Sequence, residues 1–126
     1  MIELCHTKFS LASESESQLF CPRKYFTVFL TKFYPMSKPL ISVVITVYNE
    51  EDNIQPLLEA TYSALEAIDY EVILIEDGST DRTVAEVKKY ANSRTKLIIF
   101  NRNFGQTTAL AAGIDMATGE YICTMD

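Results

Sequence analysis

Three apolar runs in this chain stop abruptly at acidic loops. Ile41-Ser-Val-Val-Ile-Thr-Val47 runs into Tyr48-Asn49-Glu50-Glu51, Glu71-Val-Ile-Leu-Ile75 into Glu76-Asp77-Gly78-Ser79-Thr80-Asp81, and Tyr121-Ile-Cys-Thr-Met125 into Asp126. Strands buried on both faces read as unbroken apolar runs, the mark of a parallel sheet covered by helices. Open sheets of that kind bind ligands just beyond the carboxyl ends of their strands. The pattern therefore predicts one ligand cleft rimmed with carboxylates.

The segments between the runs complete the alternation. Ile54, Leu57, Leu58, Leu65 and Ile68 recur at helical spacing and predict a helix over about 51–68, with Pro56 near its first turn, where a missing N–H costs little. Ser79 or Thr80 is a candidate N-cap for a helix reaching about Asn92 that buries Val84, Val87 and Ala91. A further strand, Lys96 to Phe100, precedes a small-residue helix over about 106–117, which Gly119 ends before a last strand at 120–125. The order βαβαβαβ, with right-handed crossovers, gives an α/β fold with a doubly wound, mostly parallel sheet.

Length and charge limit what such a domain does. A chain of 126 residues supports one domain with a core. Its net charge of −6 is uneven. Residues 1–37 carry four basic and three acidic side chains, or +1, and residues 38–126 carry seven basic and fourteen acidic, or −7. An acidic body lacks the clustered Lys and Arg that release counterions from a nucleic-acid backbone, so no nucleic-acid partner is expected. Cys5, Cys21 and Cys123 are odd in number and have no Cys-x-x-Cys spacing, which signals neither a disulfide framework nor a zinc site and fits a cytoplasmic setting. No run reaches the roughly 18 apolar residues of a membrane span.

The composition changes near Met36-Ser-Lys-Pro39. Before it there is no sustained helical or strand period, so residues 1–37 read as an N-terminal extension, disordered or non-native, with Met36 a candidate start. A genuine N-terminal arm is the alternative, and Phe20 to Phe33, with its aromatic and basic residues, fits a membrane surface. Residues 38–126 form the folded domain.

The loops narrow the chemistry. A dinucleotide site needs Gly-x-Gly-x-x-Gly after the first strand, where this chain has Tyr48-Asn49-Glu50-Glu51-Asp52. A P-loop is excluded because Gly105 to Gly113 contains no Lys. Bare carboxylates serve a nucleotide by accepting hydrogen bonds from base or ribose, or by holding a divalent cation that meets the phosphates. Ser79, Thr80 and Asp81 read better as turn and capping residues. Asp77 directly follows a wholly apolar strand and should face the cleft. Tyr48 is either strand-end packing or a ring on which a base stacks.

Four motifs in order, Val43-Val-Ile-Thr-Val-Tyr-Asn-Glu50, Ile75-Glu-Asp-Gly-Ser-Thr-Asp81, Asn101-Arg-Asn-Phe-Gly105 with Ala109-Leu-Ala-Ala-Gly113, and Gly119-Glu-Tyr-Ile-Cys-Thr-Met-Asp126, resemble those of family 2 glycosyltransferases. The Asn-Arg-Asn-Phe-Gly-Gln loop looks most like the branch of dolichyl-phosphate mannosyltransferases and polyprenyl-phosphate glycosyltransferases. Two positions depart from the pattern: Thr46 stands for the usual Pro, and Glu76-Asp77 for the common acidic pair.

The resemblance implies the GT-A fold, of which residues 38–126 would be the Rossmann-like, nucleotide-sugar-binding half. It places Thr46, Val47, Tyr48 and Glu50 around the base and ribose, and Asp77 on the base. Asp126 becomes the first acid of an Asp-x-Asp motif that holds Mg²⁺ or Mn²⁺ on the donor diphosphate. No catalytic residue is carried over. The implied reaction moves a sugar from a UDP- or GDP-linked donor to an acceptor, a polyprenyl phosphate, by metal-assisted inverting displacement. Since the motif continues past Asp126, the chain is expected to be a truncated, inactive fragment of an enzyme at the cytoplasmic face of a membrane, with exposed apolar edges prone to association. A non-catalytic nucleotide-binding or assembly module and a flavodoxin-like α/β enzyme are the rival readings.

Overall fold

The computed structural model describes residues 17–20, 26–30 and 38–125. Four parallel strands form its body: β3 (Ile41–Val47), β4 (Tyr70–Glu76), β5 (Thr95–Phe100) and β6 (Tyr121–Met125), lying in the order β5-β4-β3-β6. Helices α1 (Ile54–Ala64), α2 (Thr83–Tyr90) and α3 (Gln106–Met116) connect them in turn. From β3 the chain steps outward to β4 and β5, and α3 then carries it back to lay β6 against the other side of β3. Strand order reverses between β3 and β6, the switch point at which such sheets bind ligands.

The predicted alternation holds, and burial explains the division of residues between two layers. Val43, Ile45 and Val47 of β3, with Val72, Leu74 and Leu97, pack on Ile54 and Leu58 of α1 and Val87 of α2. Val44, Ile73, Ile75, Ile98 and Phe100 point to the opposite face and pack around Ala109 of α3. Every residue of β4 is buried, so its sequence shows no polar face. Helix α3 needs small residues because it lies close to the sheet: a Cβ at Gly113 would sit 2.3 Å from Val44 Cγ1 and 2.5 Å from Ile75 Cδ1.

A polar knot ties the strands together at the amino-terminal edge of the sheet. Glu71 Oε1 accepts hydrogen bonds from the Ser42 hydroxyl at 2.6 Å, the Thr118 N–H at 2.7 Å and the Thr118 hydroxyl at 2.9 Å. Lys96 Nζ lies 2.6 Å from Glu71 Oε2, and the Gly119 N–H donates to Ser42 Oγ at 2.8 Å. Burial works against the Glu71 carboxylate, but Lys96, Ser42 and Thr118 outweigh it and hold its pKa below the ordinary glutamate value. The knot ties the α3–β6 connection to β3, β4 and β5.

Three expectations change. Before Ile41, where no strand is expected, β1 (Ser17–Phe20) and β2 (Phe26–Leu30) pair antiparallel with each other, and β2 pairs antiparallel with β5. Phe26-Thr-Val-Phe-Leu30 has β-prone residue types without alternation, and its hydrogen bonds come from the open side of β5. The rest of residues 1–37 lies outside the described residues. Helix α1 is shorter than 51–68, because Leu65 and Ile68 close a turn after it while Leu65 still packs on the core. Helix α2 starts at Thr83 rather than near Ser79, whose hydroxyl serves another loop.

Candidate functional site

At the carboxyl edge, the loops after β3 and β4 are stitched together by side chains bonding to backbone. Asn49 takes a left-handed φ of 52°, which Asn tolerates better than most residues. Its N–H donates to Ser79 Oγ at 2.9 Å, and its side-chain oxygen accepts the Thr80 N–H at 2.8 Å. The Glu50 N–H donates to Thr83 Oγ1 at 2.9 Å, the Glu51 N–H to Asp81 Oδ2 at 3.2 Å, and the Arg82 N–H back to Glu51 Oε2 at 2.7 Å. Asp81 also takes the Thr83 N–H at 2.9 Å and so does the capping work at the start of α2. Slight desolvation opposes its charge, but the bonds from Thr83 and Glu51 prevail and hold its pKa below the ordinary aspartate value. Glu76, buried, accepts the Ser79 N–H.

Much of the predicted carboxylate rim is thus turned inward. Glu51, Glu76 and Asp81 satisfy loop amides that would otherwise be orphaned. Of the three residues read as turn and capping residues, Asp81 alone bonds to the start of α2, while the Ser79 and Thr80 hydroxyls bond to Asn49 in the loop after β3.

The third loop, 101–105, leans on the second. Asp77, 4 % exposed, accepts the Phe104 N–H at 2.7 Å and the Gly105 N–H at 2.9 Å. Its own N–H donates to the Val47 carbonyl at 2.9 Å, which prolongs the β3–β4 ladder by one rung. The Arg102 guanidinium lies over the Phe104 ring, 4.6 Å from its centroid.

Between these loops opens a cleft of about 360 Å³ lined by Thr46, Val47, Tyr48, Glu50, Asp77, Asn103, Gly105 and Gln106. Five residues singled out from sequence, Thr46, Val47, Tyr48, Glu50 and Asp77, therefore share one site. Tyr48 is 45 % exposed in it, so strand-end packing does not account for this ring. Asn103, Gly105 and Gln106 were missed as site residues, although a polar loop between an apolar strand and a helix was the signal that pointed to the other two loops.

Asp126 lies outside the described residues. Among those described, no three His, Cys, Asp or Glu side chains group into a metal-binding set. The metal assignment therefore rests on Asp126 alone.

Residues 42–126, from β3 through β6 and around the whole cleft, match the model of glycosyl transferase family 2. The chain belongs to glycosyl transferase family 2. Strands β1 and β2 lie outside the segment matched to the family. Among curated proteins, the chain is 39 % identical over 97 residues to dodecaprenyl-phosphate galacturonate synthase of Rhizobium johnstonii, a match covering 73 % of this chain and 29 % of that protein. Among solved structures, it resembles mannosyltransferase PcManGT from Pyrobaculum calidifontis in complex with GDP-Man and Mn²⁺. The TM-score is 0.53 and the identity 26 %, over 69 % of this chain and 27 % of that one. This likeness agrees with the GT-A fold, and the chain spans under a third of the length of both glycosyltransferases it matches.

Proposed function

We propose that this chain forms the donor-nucleotide pocket of a glycosyltransferase that moves a sugar from a UDP- or GDP-linked donor to a polyprenyl phosphate. One observation carries the reading: Thr46 and Val47 at the end of β3, Tyr48 and Glu50 in the loop after it, and Asp77 just after β4 meet in a single cleft at the carboxyl end of β3, beside the switch point. The names of the two similar proteins support the donor and acceptor classes.

In this reading Tyr48 offers an exposed aromatic face for the base. Glu50, also exposed, accepts hydrogen bonds from ribose hydroxyls or base N–H groups, and Asp77 stands between the nucleotide and loop 101–105. Transfer is an inverting displacement in which the acceptor oxygen attacks the anomeric carbon opposite the leaving diphosphate, with alignment supplied by binding. A phosphate acceptor is already anionic and needs no strong general base. Asp126 would be this chain's carboxylate ligand for Mg²⁺ or Mn²⁺, which when bound would offset charge on the diphosphate. Because the chain spans so little of the enzymes it resembles, it is proposed to bind donor nucleotide without transferring sugar, in an enzyme working at the cytoplasmic face of a membrane. Among the described residues, no helix is long and apolar enough to cross one.

Calorimetric titration of the 126-residue chain with UDP, GDP and CDP, with and without Mn²⁺, tests the reading. Saturable binding that favours one nucleotide and weakens in Tyr48→Ala supports it. A folded chain that binds none of them, or one that transfers sugar unaided, overturns the corresponding part.

A further inference from the structure

Two side chains of the cleft meet at a single backbone amide. The Gly105 N–H donates to Asp77 Oδ2 at 2.9 Å and to Asn103 Oδ1 at 3.0 Å, so the carboxyl group that follows β4 and the amide group of the third loop are neighbours. Both residues line the cavity. What each has left after that shared bond differs. A carboxylate offers about four lone-pair sites, and Asp77 gives one to the Gly105 N–H and one to the Phe104 N–H, so it remains an acceptor. Asn103 turns its oxygen to Gly105, which leaves its NH₂ group as a donor for a ligand.

The loop that carries this donor is well seated. The Phe104 ring packs edge-on against Phe100, with 5.4 Å between centroids, and the Arg102 guanidinium lies over the same ring. A Cβ at Gly78 would lie 2.4 Å from the Asn103 amide nitrogen, so the loop backbone rests directly on the residue after Asp77. Donor and acceptor are therefore set side by side before a ligand arrives, which lowers the cost of ordering them on binding. We infer that Asp77 and Asn103 read a base as a pair, Asp77 accepting from a ring N–H and Asn103 donating to the carbonyl beside it, which makes Asn103 a specificity-determining residue. Uracil and guanine present a ring N–H next to a carbonyl. Cytosine presents a bare ring nitrogen next to an NH₂ group, which sets acceptor against acceptor and donor against donor. On the donor-pocket reading, which this assignment requires, the pair selects UDP or GDP against CDP.

Two variants of the 126-residue chain separate reading a base from shaping the loop. Asn103→Asp keeps an oxygen for the Gly105 N–H and loses the donor, whereas Asn103→Ala loses both. Asn103 is exposed, so the Val43, Val44 and Ile45 amides should stay protected from hydrogen exchange in each. In calorimetry the parent is expected to bind UDP or GDP about tenfold or more tighter than CDP, the scale of a misplaced hydrogen bond. Both variants should bring that ratio close to one, while Gly105 amide exchange accelerates in Asn103→Ala and not in Asn103→Asp. A carboxylate at 103 also repels the diphosphate, but it does so for all three nucleotides alike and leaves the ratio untouched. A parent that binds the three equally, or prefers CDP, overturns the pairing and leaves the donor pocket standing. A ratio kept in Asn103→Asp overturns it too, and assigns Asn103 to the shape of the loop. A folded parent that binds none of the three ends the donor-pocket reading, and the pairing with it.

Discussion

At the amino-terminal edge of the sheet the Glu71 carboxylate is enclosed by Ser42, Thr118 and Lys96, and Gly119 is packed against the β3 backbone. At the carboxyl edge the carboxylates of Glu51, Glu76, Asp77 and Asp81 are also bonded to backbone amides, yet a cleft remains with Tyr48 and Glu50 exposed on its rim, Glu50 Oε2 accepting a hydrogen bond from the Asn53 side chain. Both edges use acids to satisfy orphan N–H groups. They differ in what is left over: around Glu71 the polar groups bond to one another, and the carboxyl edge keeps an aromatic face and a carboxylate oxygen exposed on a cleft wall. The two edges thus differ in what their internal hydrogen bonds leave exposed, not in whether they carry acids.

The largest expected break of this contrast is at the amino-terminal edge. Glu71→Ala would strand Lys96 and the Thr118 and Ser42 donors, and a loss of about 3 kcal/mol in denaturant unfolding is expected, as when one partner of a buried pair is removed. A loss near zero would mean that the knot is solvated and not structural. Gly119→Ala comes next, at about 2 kcal/mol, because its Cβ would lie 2.6 Å from the Ser42 nitrogen and β3 is central and cannot retreat.

Acid separates the edges more finely. The Glu71 pKa is lowered in the folded chain, so its contribution is complete above the unfolded value of about 4.3 and is lost as pH falls through the folded one. Stability should therefore hold steady from neutrality to about pH 5 and decline below, and Glu71→Gln should flatten that decline in a pH series of unfolding midpoints. An identical decline in the variant would assign the acid sensitivity to Asp81 and the carboxyl edge.

At that edge the effects on stability shrink. Asn49→Ala loses the acceptor for the Thr80 N–H and places Ala at positive φ, for an expected cost of about 1 kcal/mol. Tyr48→Ala should change stability by less than about 0.5 kcal/mol, since the ring is half exposed, while weakening nucleotide binding by roughly tenfold, the scale of one lost base–aromatic stack. Equal losses of stability for Tyr48→Ala and Glu71→Ala would erase the distinction between the edges.

The alternation of elements from Ile41 onward was legible because burial on both faces leaves an unbroken apolar run, and helical spacing leaves its own period. That is why β3 to β6 and all three helices stand within a few residues of where periodicity puts them. The ends of α1 and α2 were not legible, because Leu65 packs from a turn and Ser79 bonds to Asn49, both matters of what lies nearby in space. The antiparallel pairing of β2 with β5 was hidden for the same reason: a strand takes its hydrogen bonds from a partner distant in sequence.

By itself, then, the sequence determined the α/β class, the loops that carry the site, and membership of the family, since each is written in local pattern or ordered motifs. The tertiary structure alone decided which acids face the cleft and which are consumed within the loops. It also brought Asn103, Gly105 and Gln106 to the same cleft as Tyr48 and gave Asp77 the amides of Phe104 and Gly105. Carboxylates look alike in a sequence, and only the N–H groups folded against them separate a structural acid from one left open to a ligand.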